Sequence, residues 1–207
     1  MNQTGIFNIE NPIWRYLGFI ADAFVLTMLW VCTSLLVITA GASTTALYAA
    51  TLRMMRFEEG SMIKQYFSDF KLNFKQSTIA AIIMAPIGGV LFYNLYVLIK
   101  LSQNASNILV IAYLIFGFVF LMVAKFIFPV IARFSNSLPN LFVMAFVMAF
   151  KNFGWTLLMI TISVSLIVVS VFVFWPLLFL VVGAIALFDS WIINHIFEKH
   201  IEEHNIV

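Results

Sequence analysis

Five stretches of about 20 mostly apolar residues, at 17–38, 78–99, 108–130, 155–175 and 177–197, constrain this chain more than any other feature. A helix needs roughly 20 such residues to cross the hydrocarbon of a bilayer. A soluble fold has no place for five of them. Composition agrees: 63% of the 207 residues are hydrophobic and 10% are charged, against roughly 45–50% and about 25% in a soluble domain. The sequence therefore predicts an all-α integral membrane protein, one membrane domain over 1–207, with about five transmembrane helices. Residues 139–150 would make a sixth span if they inserted fully. Trp175-Pro176 suits a tight turn between the last two spans, because proline fixes φ and tryptophan favours the interface.

The basic residues set an orientation. Arg53, Arg56, Lys64, Lys71, Lys75, Arg133, Lys151 and Lys199 lie on one side, Arg15 and Lys100 on the other, and Lys125 within a span. Positive loops stay in the cytoplasm, so a multi-pass chain with its N-terminus outside and C-terminus inside is expected. No basic n-region and cleavage site precede the first apolar run, which is expected to be retained rather than removed as a signal peptide. The sequon at Asn104 falls on the outer side and would be a chance match in a bacterial chain. Cys32 has no second thiol in the chain to pair with. A net charge of +2 gives no reason to expect nucleic acid as a partner.

Between the first two spans, Ile63, Tyr66, Phe67, Phe70 and Phe74 recur at helical spacing, with Lys64, Lys71 and Lys75 on the other face. This periodicity predicts a cytoplasmic amphipathic helix over 61–76, lying on the inner leaflet or docking on protein. Upstream, Ala42, Ala46 and Ala50 form a small-residue stripe that permits close helix approach. Phe67, Phe70, Lys71, Phe74 and Lys75, with that stripe, are the candidate partner contacts. A weak internal echo links Phe70-Lys71-Leu72-Asn73-Phe74 to Phe150-Lys151-Asn152-Phe153, each preceding a span. It would describe a parallel repeat, although a phenylalanine-rich chain produces such matches by coincidence.

Ionisable groups inside spans are the default places to seek function; here they are Asp22, Lys125 and Asp189. At ~1.5 Å per residue, Lys125 lies roughly 7 Å and Asp189 roughly 12 Å from the cytoplasmic helix ends, so the two can meet. Asp22 sits near the outer end, with Tyr93, Asn94 and Lys100 as its nearer candidates. A structural ion pair is the plainer reading and a proton or solute relay the sharper one. Pro86, Gly88 and Gly89 offer a helix break in the second span, as in broken transporter helices, or a plain kink. The equivalent place in the fourth span has no such break, which counts against a transporter.

His200-Ile201-Glu202-Glu203-His204 fits the H-x-x-E-H pattern of a zinc-protease helix. A working site needs a further protein ligand, and cytoplasmic candidates are few, so a solvated charged tail is expected. No P-loop and no G-x-S-x-G occurs in the chain. Neither an enzyme nor a metal or cofactor site is expected.

Three segments together carry a family likeness: Thr39-Ala40-Gly41-Ala42-Ser43-Thr44-Thr45-Ala46-Leu47-Tyr48, Phe67-Ser68-Asp69-Phe70-Lys71-Leu72-Asn73-Phe74-Lys75-Gln76, and Phe128-Pro129 followed by Ala132-Arg133-Phe134. In these the chain resembles the YesL-like family of bacterial membrane proteins, over most of its length. One departure is Leu36, where that family often has proline. The resemblance implies a protein of the bacterial cytoplasmic membrane, encoded beside carbohydrate ABC importers. It thus implies an accessory subunit that contacts importer permease subunits as well as the lipid bilayer. A small stand-alone transporter is the alternative.

Overall fold

The structure, a computed structural model, describes residues 12–58, 60–100, 107–172 and 178–205. Among the described residues seven α-helices run in chain order: α1 (Pro12–Ser34), α2 (Ala40–Met55), α3 (Met62–Lys100), α4 (Asn107–Arg133), α5 (Leu138–Lys151), α6 (Phe153–Phe172) and α7 (Leu178–Asn205). A short 3-10 turn, Val37–Thr39, links the first two. No strand occurs among the described residues.

Among the described residues four helices have the length and apolarity of membrane spans: Met62–Lys100, Ile108–Arg133, Phe153–Phe172 and Leu180–Glu202. Helix α1 has 23 residues, about 34 Å, and its stretch Ala21–Ser34 forms a shorter apolar helix beside these four. Helix α5 has only 14 residues, about 21 Å, too short to cross roughly 30 Å of hydrocarbon. Its start is set by Pro139 in the first turn after the extended Ser137. The chain then breaks at Asn152, outside helical geometry, before α6 begins. Residues 139–150 are therefore a short apolar helix packed through Leu141, Ala145 and Met148, not a further span. The Trp175-Pro176 turn and the Asn104 sequon lie outside the described residues.

The expected amphipathic helix and second span are one element. Helix α3 runs 39 residues without interruption, about 58 Å, so its first turns project well beyond one hydrocarbon thickness. Pro86 sits inside it, and the predicted break at Pro86, Gly88 and Gly89 is not formed. Exposed on the helix surface, the proline ring removes one N–H without unwinding its neighbours. Gly88 faces inward, and a β-carbon there would meet the Phe120 ring at 2.7 Å. Its use is close helix packing.

Helix α2 occupies the centre of the bundle, packed against α1, α3, α4 and α7. Eleven of its 16 residues are buried, because alanine, glycine, serine and threonine let four neighbours approach. At Gly41 a side chain would overlap the Ser77 carbonyl oxygen and the Ala81 methyl of α3. The small-residue stripe is therefore used internally: Ala42, Ala46 and Ala50 are buried in the core and are not a partner surface. Two apolar clusters flank α2. One gathers Phe126, Ile127, Leu141, Met159, Ile193 and Phe197; the other gathers Leu26, Leu47, Tyr66 and Ala186.

Most of the basic residues collect at one end. Arg53 at the end of α2 pairs with Asp69 of α3 and lies 3.9 Å from Glu58, which Arg56 also engages at 2.6 Å. Gln76 of α3 donates to the Asn136 carbonyl after α4, at 3.0 Å. Lys151 and Lys199 share a crevice there.

Candidate functional site: a buried ion pair at the centre of the bundle

Four helices bring polar side chains together in an otherwise apolar interior. Asp189 of α7 is fully buried. Its Oδ2 accepts hydrogen bonds from Lys125 Nζ of α4 at 2.7 Å and from the Tyr48 hydroxyl of α2 at 2.8 Å. Lys125 also donates to Ser163 Oγ of α6 at 2.5 Å. One residue along α7, Ser190 Oγ lies 2.6 Å from Thr51 Oγ1 of α2. A carboxylate in hydrocarbon must be paired or protonated, and this arrangement supplies both a counter-ion and a neutral donor. The second oxygen, Oδ1, is buried without a hydrogen-bond partner among the described residues.

The pair predicted from helix depth is thus formed. Tyr48, Thr51, Ser163 and Ser190 complete it and were not anticipated. The signal for the first two was available: Thr45, Tyr48 and Thr51 interrupt an alanine-rich stretch at three-residue spacing, which places them on neighbouring faces of one helix.

Further polar contacts tie the other helix pairs. Trp30 Nε1 donates to Thr44 Oγ1 at 3.1 Å, Thr33 and Tyr66 hydroxyls meet at 2.8 Å, and Ser77 donates to Thr45 at 2.7 Å. The Gly183 amide donates to Thr27 Oγ1 at 2.9 Å. That approach is close enough that a side chain at Gly183 would overlap the Ala23 carbonyl. Lipid competes poorly for such groups, so they act as interhelical glue.

Lys125 is partly exposed and lines, with Leu121, Ser163, Val164, Ile167 and Ile185, a cleft of about 300 Å³ between α4, α6 and α7. Chemically, the site can fix helix positions and present one ammonium edge to that cleft.

Asp22 does not join the cluster. Helix α1 packs on α2 and α7, while Asn94 donates to the Val90 carbonyl of its own helix and Tyr93 is largely exposed. Of the remaining partner candidates, Phe67 (40% exposed) and Phe74 (38%) are accessible, as are Lys71 and Lys75. Phe70 is half-buried against the α2 cluster and meets Phe74 edge to face, with ring centroids 5.6 Å apart. The Glu203 and His204 side chains lie outside the described residues.

No curated protein and no solved structure matches the chain. Residues 23–95, from the middle of α1 to near the end of α3, match the model of a family known in bacterial membrane proteins and described as a protein of unknown function, DUF624.

Proposed function

We propose that this protein is a non-enzymatic accessory subunit in the bacterial cytoplasmic membrane, its N-terminus outside and C-terminus inside, which contacts the permease subunits of a carbohydrate ABC importer. The observation that carries the non-transporting part is the closure of the polar cluster. Lys125, Asp189, Tyr48 and Ser163 bond to one another across four helices instead of lining a continuous polar route, and α3 stays helical through Pro86. The exposed aromatic edge of α3 at Phe67 and Phe74 supplies a contact surface. The importer as partner follows from the resemblance to the YesL-like family. The test is purification in mild detergent from the native host with identification of the proteins retained. Importer permease subunits are expected; their absence sinks the reading.

A small stand-alone transporter is the second reading. It is favoured by the cleft that reaches Lys125 and Ser163. Solute uptake by the purified protein alone in liposomes, lost on Lys125→Met, would establish it.

A further inference from the structure

Along α7, Trp191, His195 and Lys199 follow at intervals of four, so they stack on one helix face. All three are exposed. Facing them is the junction of α5 and α6, where Lys151 and Asn152 precede Trp155 by about one turn. Trp155, Trp191, Ile192 and His195 frame a cleft of about 270 Å³. One turn nearer the basic end, Lys151, Asn152, Lys199 and His200 frame a narrower crevice of about 20 Å³, floored by Met148 and Ile196. The two depressions follow one another along the same seam between α7 and the α5–α6 junction.

The chemistry changes in order along that seam. Two ammonium groups stand at its outer end beside the His200 imidazole and over Ile196, the His195 imidazole follows, and then come two indoles packed beside Ile192. A phospholipid has the same order: phosphate, glycerol backbone, acyl chain. We propose that this seam holds one anionic phospholipid of the leaflet at the basic end, its phosphate between Lys151 and Lys199 and its upper acyl segment between Trp155 and Trp191. Basic pockets between transmembrane helices suit anionic headgroups. Tryptophans line membrane interfaces generally. What distinguishes this pair is the cleft they enclose and the two lysines one turn beyond it.

Bilayers containing acyl-brominated phosphatidylglycerol or acyl-brominated phosphatidylcholine read the site through tryptophan fluorescence, since bromine quenches only indoles it touches. Wild-type protein is expected to be half-quenched at a several-fold lower mole fraction of the anionic lipid. About 1 kcal/mol per basic residue near the surface corresponds to about fivefold each. Lys151→Gln with Lys199→Gln should bring the two lipids to parity, and Lys199→Gln alone, the milder change, should lose part of the preference. Trp155→Phe with Trp191→Phe should remove the selective component and leave the rest. Equal quenching by both lipids in wild type means an unselective lipid annulus and overturns the proposal. So does a preference untouched by either lysine variant. If excess inorganic phosphate abolishes the preference, the seam is a small-anion site and the lipid assignment fails.

Discussion

Lys125 and Asp189, 64 residues apart in sequence, meet at 2.7 Å, with Asp189 wholly enclosed and Lys125 reaching a cleft. That asymmetry decides how the pair responds to mutation. Lys125→Met strands a buried carboxylate, whereas Asp189→Asn leaves an ammonium that still reaches Ser163 and the cleft. Breaking a buried pair costs about 3–5 kcal/mol. Lys125→Met is therefore expected to be the more damaging single change, and Asp189→Asn in the Lys125→Met background to recover much of the loss. Thermal unfolding in detergent, followed over all four variants, gives the coupling. Additive losses would mean that the two groups do not interact.

Tyr48 enters the same network through one hydrogen bond to a charged acceptor. Bonds of that kind contribute about 1.5–3 kcal/mol. Tyr48→Phe keeps the ring in place and removes only the hydroxyl, so its loss should fall in that range in wild type. It should shrink once Asp189 is asparagine. A loss unchanged by Asp189→Asn would show that Tyr48 acts through packing.

How much of this was legible in the sequence differs by element. Apolar runs of 20 residues announce spans because the bilayer allows little else, and helix-depth arithmetic was enough to join Lys125 to Asp189. Helix α2 was not legible as the centre of the bundle. Its Ala, Ser, Thr and Tyr are too polar for a lipid-facing span and too evenly spread for an amphipathic face. Small residues signal that something approaches closely, but not whether the neighbour is α3 or another protein. At Pro86, proline and two glycines permit a break without requiring one. Packing of Gly88 on Phe120, a contact 32 residues away in sequence, holds the helix instead.

Gly41 and Gly89 separate packing from propensity. A methyl at Gly41 overlaps the Ser77 carbonyl and Ala81, while one at Gly89 meets open space. Gly41→Ala should push α2 from α3 and cost about 1–3 kcal/mol, as overpacking does. Gly89→Ala should be neutral or stabilising by up to about 1 kcal/mol, since alanine is the better helix former. Side-by-side melting curves check both signs. A Gly41→Ala protein as stable as wild type would contradict the close approach of these helices.

Glu58 lies between α2 and α3, outside the membrane-crossing helices. The hydrogen bond from Arg56 holds its carboxyl below the ordinary value of 4.5, with the charges of Arg56, Arg53 and Arg133 adding to this and partial burial opposing it. A depressed native pKa means that the stabilisation is fully present above about 4.5 and disappears as pH falls through the lower native value. Glu58→Gln should remove that part of the acid dependence and leave the rest of the pH profile alone. The effect will be small, because the side chain is 44% exposed and solvent screens it. Superimposable stability–pH curves for wild type and variant would show that the pairing contributes nothing.

The aromatic edge of α3 gives the sharpest test of the accessory-subunit reading. If residues 61–76 only rested on lipid, replacing one bulky apolar side chain by another would change little. A protein pocket discriminates shape, and aromatic anchors dominate interface energies, with truncations costing 2 kcal/mol or more, about 30-fold in affinity. Phe67 and Phe74 are the residues to change, being seven apart on one helix face and both accessible. Phe70 serves as the structural control, because it packs against the α2 cluster. Phe67→Leu with Phe74→Leu should leave the melting temperature and membrane abundance near wild type while permease subunits no longer co-purify. Phe70→Leu should lower the melting temperature. Lys71→Gln with Lys75→Gln should weaken attraction to anionic lipid by about 1 kcal/mol per charge at most and leave partner retention intact. If the leucine pair keeps every protein that wild type keeps, this edge of α3 is not the docking surface, and a partner must be sought elsewhere on the bundle.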